Sequence, residues 1–297
     1  MKHSCAVLEK AAARASASAY SSHQRVDGAL HIEFRRTRDG RTALGDLYQR
    51  APCRVLFPTP EIGEPTLAVL LTTSGGLTGG DRTDTTLIVG PHAAATVTSQ
   101  AAERIYRSLD ADNEVQMRFD LTVGARAWAE YLAQETILFN GARLRRSFSA
   151  RVAAEGRLLA LETVVFGRSE MGEQFDTGLL HDAWQVYRDG RLVWTDALHL
   201  AGDVRRARTA PFGFGTSVAQ STLLYVGADA ALRLEAVRST LETGGGFGAA
   251  SAFDGVLLVR AMAERAQELR TLMMTLVAGL RQLAGSWPAR LPRIWQY

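Results

Sequence analysis

Alternation of apolar and polar residues at a period of two is the strongest constraint in this chain. In Val115-Gln-Met117-Arg-Phe119-Asp-Leu121 every second residue is apolar, and Leu30-His-Ile32-Glu-Phe34 repeats the pattern. Successive side chains of a strand point to opposite faces, so this spacing buries one face and leaves the other in water. The same reading predicts strands over 67–73, 85–89, 95–99, 126–132, 144–152, 158–166, 217–226 and 256–260. Asp189-Gly190 lies between Gln185-Val-Tyr-Arg188 and Arg191-Leu-Val-Trp194. It predicts a two-residue hairpin, because both central residues of such a turn take positive φ. Short strands punctuated by Gly and Asp predict a mainly β protein built from large antiparallel sheets.

Two helices near the C-terminus break the alternation, over 229–242 and about 263–284. In the second, Leu269, Leu272, Met273, Leu276, Leu280 and Leu283 recur at helical spacing and predict one buried stripe. Gly285 and Pro288 are expected to stop it. No repeat or proline-rich linker divides the chain. The expected organisation is a single β-rich domain over 26–297 behind a flexible segment of residues 1–25.

Cysteine and histidine are scarce. Cys5 and Cys53 are far apart, and His3, His23, His31, His92, His181 and His199 never lie three to five positions from one another. Local spacing therefore excludes a disulfide framework and a closed Cys/His metal site. A net charge of +3 is too small for a dedicated nucleic-acid binder. No apolar run reaches the roughly 18 residues of a membrane span. The expectation is a cytoplasmic protein of a reducing compartment, with neither nucleic acid nor membrane as partner.

Residues 72–82 hold four glycines within Ser74-Gly-Gly-Leu-Thr-Gly-Gly-Asp81-Arg82. A phosphate cradle would need a following Lys-Ser/Thr and a helix, and this segment has neither. A strand-to-strand turn at positive φ is the competing reading. Gly244-Gly-Gly-Phe-Gly248 reads as a flexible turn. Glu162 stands within the apolar run 158–166, and Glu103 and Glu135 within the strand-like segments 100–106 and 133–139, where a β-rich core would be apolar. A buried carboxylate must be paired, hydrogen-bonded or metal-bound; solvent-facing positions or arginine partners would also account for them. No G-x-S-x-G elbow accompanies the isolated His181-Asp182 pair, which leaves no case for a serine triad.

Six segments, in order, resemble the UreD (UreH) family of urease accessory proteins. They are 74–82, Gln100-Ala-Ala-Glu-Arg-Ile-Tyr106-Arg-Ser108, Gln134-Glu-Thr-Ile-Leu-Phe139-Asn-Gly-Ala142, 167–173, 188–200 and Leu291-Pro292-Arg293-Ile294-Trp295. The resemblance covers roughly residues 28 to 297. Arg104 replaces a usual Lys, Tyr131 and Ala133 replace a usual Trp and Pro, and Glu170 replaces a small residue. The resemblance implies a non-catalytic, mostly β scaffold. It would bind UreF directly and the GTPase UreG through UreF, in a dimeric accessory assembly that docks on the urease apoprotein. Nickel would pass through a polar tunnel, GTP would be bound by the partner alone, and no cofactor would be held tightly. On that resemblance Asp81, Glu103, Glu162 and Glu173 are the expected polar-tunnel or metal-handling residues. Two alternatives stay open: a carboxylate hydrolase using Glu162 and Glu173, and an adaptor that never meets the metal. Whether the tail 291–297 folds back or meets UreF is also open.

Overall fold

The computed structural model describes residues 25–110, 112–244 and 247–296. Apart from Arg25, the segment expected to be flexible lies outside the described residues. The chain opens with β1 (Asp27–Arg36), β2 (Thr42–Arg50), β3 (Cys53–Leu56), β4 (Thr66–Thr72), β5 (Arg82–Val89) and β6 (Ala94–Ser99). Next come β7 (Glu103–Ile105), β8 (Val115–Val123), β9 (Trp128–Leu132), β10 (Thr136–Leu138), β11 (Arg143–Val152) and β12 (Arg157–Arg168). The C-terminal part holds β13 (Glu173–Gln174), β14 (Thr177–Arg188), β15 (Arg191–Asp203), α1 (Val204–Thr209), β16 (Ala219–Val226), α2 (Leu234–Thr243), β17 (Phe247–Phe253), β18 (Val256–Ala263) and α3 (Ala266–Gly285).

The strands form two sheets. The first runs β15-β14-β11-β8-β5-β1-β2 and the second β17-β18-β16-β12-β9-β6-β4-β3. From β4 to β14 the chain crosses from one sheet to the other and back. Neighbours within each sheet, such as β5·β8, β8·β11 and β11·β14, or β4·β6, β6·β9 and β9·β12, are therefore parallel. Antiparallel pairs close both ends of this winding: β1·β2 and β3·β4 at one, β14·β15, β12·β16, β16·β18 and β17·β18 at the other.

The mainly β class with few helices is borne out, but the sheets are mixed rather than antiparallel. Alternation reports which face of a strand is buried, not the direction of its neighbour. Parallel neighbours need a long crossover, usually a helix. Here a strand of the facing sheet makes the crossover, so the outer face of the first sheet stays wet and the alternation survives.

Ile32, Phe34, Leu87, Leu121, Phe148 and Trp184 of the first sheet meet Ala68, Val97, Leu158, Ala160 and Leu224 of the second. A second core lies behind the second sheet, where Leu159, Leu161, Leu223 and Tyr225 pack on Leu272, Met273, Leu276 and Leu280 of α3. β12 is covered on both sides and is buried from Leu158 to Gly167. Leu283, assigned to the helix stripe by its spacing, is exposed. Helix α3 ends one residue later than Ala284, and Ser286 takes the left-handed cap at φ 57°. Asp189 and Gly190 have φ of 50° and 76°, as the hairpin reading requires.

Arg281 of α3 is fully buried and donates from Nε to Glu130 Oε1 at 2.9 Å. Trp128 Nε1 and Thr96 Oγ1 complete the Glu130 carboxylate at 2.8 and 2.6 Å. Arg281 Nη2 also reaches Glu64, and this polar knot pins the helix to the second sheet, although Arg281 Nη1 finds no partner among the described residues. The tail folds back as well: Leu291 and Trp295 are buried, and Trp295 Nε1 donates to Thr98 Oγ1 at 3.0 Å. The Arg270 guanidinium lies 4.6 Å from the centre of the Trp295 ring. Strands β2, β3 and β17 and helix α1 have no clear periodicity and were not expected. Phe247 and Gly248 of the expected turn belong to β17, while Gly245 and Gly246 lie outside the described residues.

Candidate functional site

The second sheet splits along one line. β12 runs unbroken, pairing first with β9 and then with β10. Leu161 and Val164 of β12 are three steps apart, whereas their partners Leu132 and Thr136 are four apart. Thr98 and Glu103, the partners of those two, are five apart. An extra residue per turn bends and opens a ladder as a bulge does. The gaps fall at 133–135, 100–102 and 73–76, within or beside three of the segments that carry the family resemblance. Gly75, Gly76 and Gly80, at φ of 73°, 144° and 92°, let the outermost turn fold. At Gly76 an added Cβ would lie 2.9 Å from the Arg104 carbonyl oxygen. The glycine segment is thus a turn, and no long helix follows it.

Behind the split lies a cavity of about 270 Å³ whose walls include Thr72, Glu103, Tyr131, Arg146 and Glu162. Glu103 Oε2 accepts from Thr72 Oγ1 at 3.1 Å, and burial raises the Glu103 carboxyl above its ordinary pKa. Deeper in, Arg146 grips Asp182 with both arms, Nε to Oδ1 at 2.9 Å and Nη2 to Oδ2 at 2.6 Å. Its Nη1 donates to Thr136 Oγ1 at 3.1 Å. Glu162 Oε2 lies 3.0 Å from Nη2 of the same guanidinium without hydrogen-bonding alignment. Glu162 Oε1 accepts from the Tyr131 hydroxyl at 3.4 Å.

Two carboxylates thus share one guanidinium, and Asp182 holds it bidentately, the stronger geometry. Burial drives the Glu162 carboxyl up to about 8, against the pull of Arg146 and with the push of Asp182. The same surroundings raise the Tyr131 hydroxyl well above its usual range.

A second cavity, about 600 Å³, is walled by Asp182, Trp184, Leu198, Gln220, Thr222 and Arg260 among others. Arg146 is the register partner of Asp182, and Glu162 that of Thr222. Arg146 and Glu162 line the first cavity, and Asp182 and Thr222 the second. The Arg146–Asp182–Glu162 cluster is therefore the partition between the two.

Of the four expected residues, Glu103 and Glu162 share the cavity. Asp81 is buried elsewhere: its Oδ1 accepts from the Val26 amide and its Oδ2 from the Thr78 amide, both at 2.8 Å. Glu173 sits outside the cavity lining, paired with Arg168 and accepting from the Asn140 amide at 3.2 Å. Paired-carboxylate hydrolysis requires both groups across one cleft, and Glu162 and Glu173 have no cleft in common. Glu135 pairs with Arg270 at 2.8 Å and ties the split to α3. Among the described residues, no three His, Cys, Asp or Glu side chains converge as a metal-ligand set.

Sequence reasoning missed Arg146, Asp182 and the Tyr131 hydroxyl. The signal was present. In Leu144-Arg-Arg146-Ser-Phe148 and Leu180-His-Asp182-Ala-Trp184, a charge occupies an inward position of an alternating strand. Tyr131 stands where the resemblance expects Trp, and its hydroxyl meets Glu162.

A model of the UreD urease accessory protein family matches residues 26–296. A urease accessory protein UreD of Magnetococcus marinus is 43% identical over 277 residues, covering 92% of this chain and 94% of its own. Its counterpart in Granulibacter bethesdensis is 39% identical over 81% of this chain and 99% of its own. One in Rhizobium leguminosarum bv. viciae is 36% identical over 92% and 96%. The chain belongs to the UreD family of urease accessory proteins. Members of the UreD family support urease maturation and are not themselves catalysts, so this chain acts among urease-related proteins. No helix of the described residues is long and apolar enough to cross a membrane.

Proposed function

We propose that this UreD-family chain works as scaffold and nickel conduit, in the cytoplasm, within an assembly that holds UreF directly and UreG through UreF. In this reading the assembly is dimeric and docks on the urease apoprotein. Nickel is cargo, and GTP belongs to UreG.

The observation that carries the conduit is the cavity lined by Glu103 and Glu162, closed by the polar partition that Glu162 forms with Arg146 and Asp182. Burial raises both carboxyls above their ordinary range, and Glu162, raised to about 8, presents little charge at neutral pH until a dication arrives. The dication then displaces the proton, as metal ligation by an acid requires. Oxygen ligands hold first-row metals less firmly than imidazole or thiolate, so the ion can move on. Arg146 supplies the competing cation at the partition: it must release Glu162 before an ion passes to the Asp182 side. Asp81 and Glu173 enter this reading as braces of the loops around the split.

The test is co-expression of urease with its accessory set and a Glu103→Gln/Glu162→Gln double variant, scoring nickel per urease active site. A fall well below wild type, with the accessory assembly still recoverable, supports the conduit. Full loading by the double variant overturns it and leaves the adaptor reading.

A further inference from the structure

On the outer face of the first sheet, β14 and β15 set His181 directly opposite His199. The pairing depends on an irregularity. Near the turn Tyr187 faces Leu192, but beyond it Val186 faces Trp194, so Val193 is extra. Without that residue His181 would face Leu198, and His199 would point to the other side of its neighbours, since one step of register reverses every side chain. The bulge brings together two histidines that are far apart in the chain.

Their ring centroids are 5.4 Å apart with an interplanar angle of 67°. Imidazole nitrogen binds a first-row dication at about 2.0–2.1 Å, which puts each ring centre roughly 3.2 Å from the metal. Two such rings at a tetrahedral angle have centres about 5.2 Å apart, and at a right angle about 4.5 Å apart. The observed separation is already close to the first value. Ala183, Ala197 and Ala201 flank the pair on the same face, leaving room for water ligands. β15 is the edge of its sheet, so among the described residues no strand covers His199 from beyond.

The charged group facing the pair from the adjacent strand is Arg145, in register with His181. Its guanidinium donates to both oxygens of Glu114, at 2.8 and 3.4 Å, which offsets its charge. His181 Nδ1 is shielded from solvent and has no hydrogen-bond partner among the described residues. An unsatisfied polar atom of this kind calls for a ligand or an ordered water.

We propose that His181 and His199 form a two-imidazole, water-completed binding site for a first-row transition-metal dication on the outer face of this edge hairpin. Imidazole selects nickel, copper and zinc over calcium or magnesium. The site does not depend on the conduit reading: it lies on the opposite face of β14 from the cavity partition, and its ligands are of another type.

The test titrates the untagged full-length chain with nickel chloride by calorimetry at neutral pH, and with cobalt(II) by visible absorption. The expected result is one ion per chain, bound through nitrogen. His181→Ala and His199→Ala each weaken it by at least about tenfold, while His31→Ala, a histidine elsewhere on the same sheet, leaves it unchanged. His199→Gln keeps the bulk of the exposed side chain, and thermal melting without metal shows whether each variant is folded. Wild-type affinity in folded His181→Ala or His199→Gln, or no binding by the wild type, overturns the proposal.

Discussion

Adjacent residues on β14 illustrate two kinds of chemistry. Asp182 points inward, is buried, and shares the Arg146 guanidinium with Glu162. His181 points outward and meets His199 of the neighbouring edge strand. Inside, the low dielectric makes each charge depend on its partner. Outside, His181 is half-buried and His199 exposed, and the geometry of the pair decides what can bind. One residue step therefore separates a group whose removal unbalances the fold from one whose removal affects only ligation.

The largest effect that can break this contrast is Arg146→Met. It strands the buried Asp182 carboxylate beside the Glu162 carboxyl and is expected to cost about 3–5 kcal/mol in denaturant unfolding. Adding Asp182→Asn and Glu162→Gln should restore most of that loss. A small cost for the single variant would mean that the partition is wetter than its burial implies. Away from the contrast, Trp295→Ala should cost about 3 kcal/mol or more through lost packing, checked by the same unfolding measurement.

The next effect depends on pH. Glu162 is raised to about 8 in the folded chain, against about 4.3 when unfolded. Between those values the unfolded state releases a proton that the folded state keeps, so this residue erodes stability as pH rises. The erosion is absent below about 4.3 and complete above about 8. Glu162→Gln should therefore raise the thermal midpoint relative to wild type by more at pH 8.5 than at pH 5, by about a few degrees. Equal shifts at both values would show that Glu162 titrates normally.

Smaller still is Tyr131→Phe, which removes one long hydrogen bond and should cost about 1 kcal/mol or less. His181→Ala should change metal-free stability by no more than about 0.5 kcal/mol. A larger loss would place His181 among the structural groups and erase the contrast with Asp182.

Much of the fold was legible because alternation is local. The runs at 30–34, 115–121 and 144–152 and the Asp189-Gly190 hairpin all stand as read. β2 was not, because its residues are half-exposed at a sheet edge and carry no apolar stripe. Glu103 and Glu162 could be named from apolar surroundings and the family resemblance. Asp81 could be named too, but not the fact that two backbone amides occupy its carboxylate. Arg146 and Asp182 broke the inward pattern of their strands, and that signal went unread.

The sequence by itself determined which faces of the strands are apolar, where the chain turns, that α3 has a buried stripe, and to which family the chain is similar. Those properties follow from neighbours a few residues apart. Tertiary structure decided the parallel winding, the widening split that opens the cavity, and the grouping of Arg146, Asp182 and Glu162. It also placed His181 across from His199. Each of these depends on register between strands distant in the chain, and a single bulged residue such as Val193 is enough to change which side chains meet.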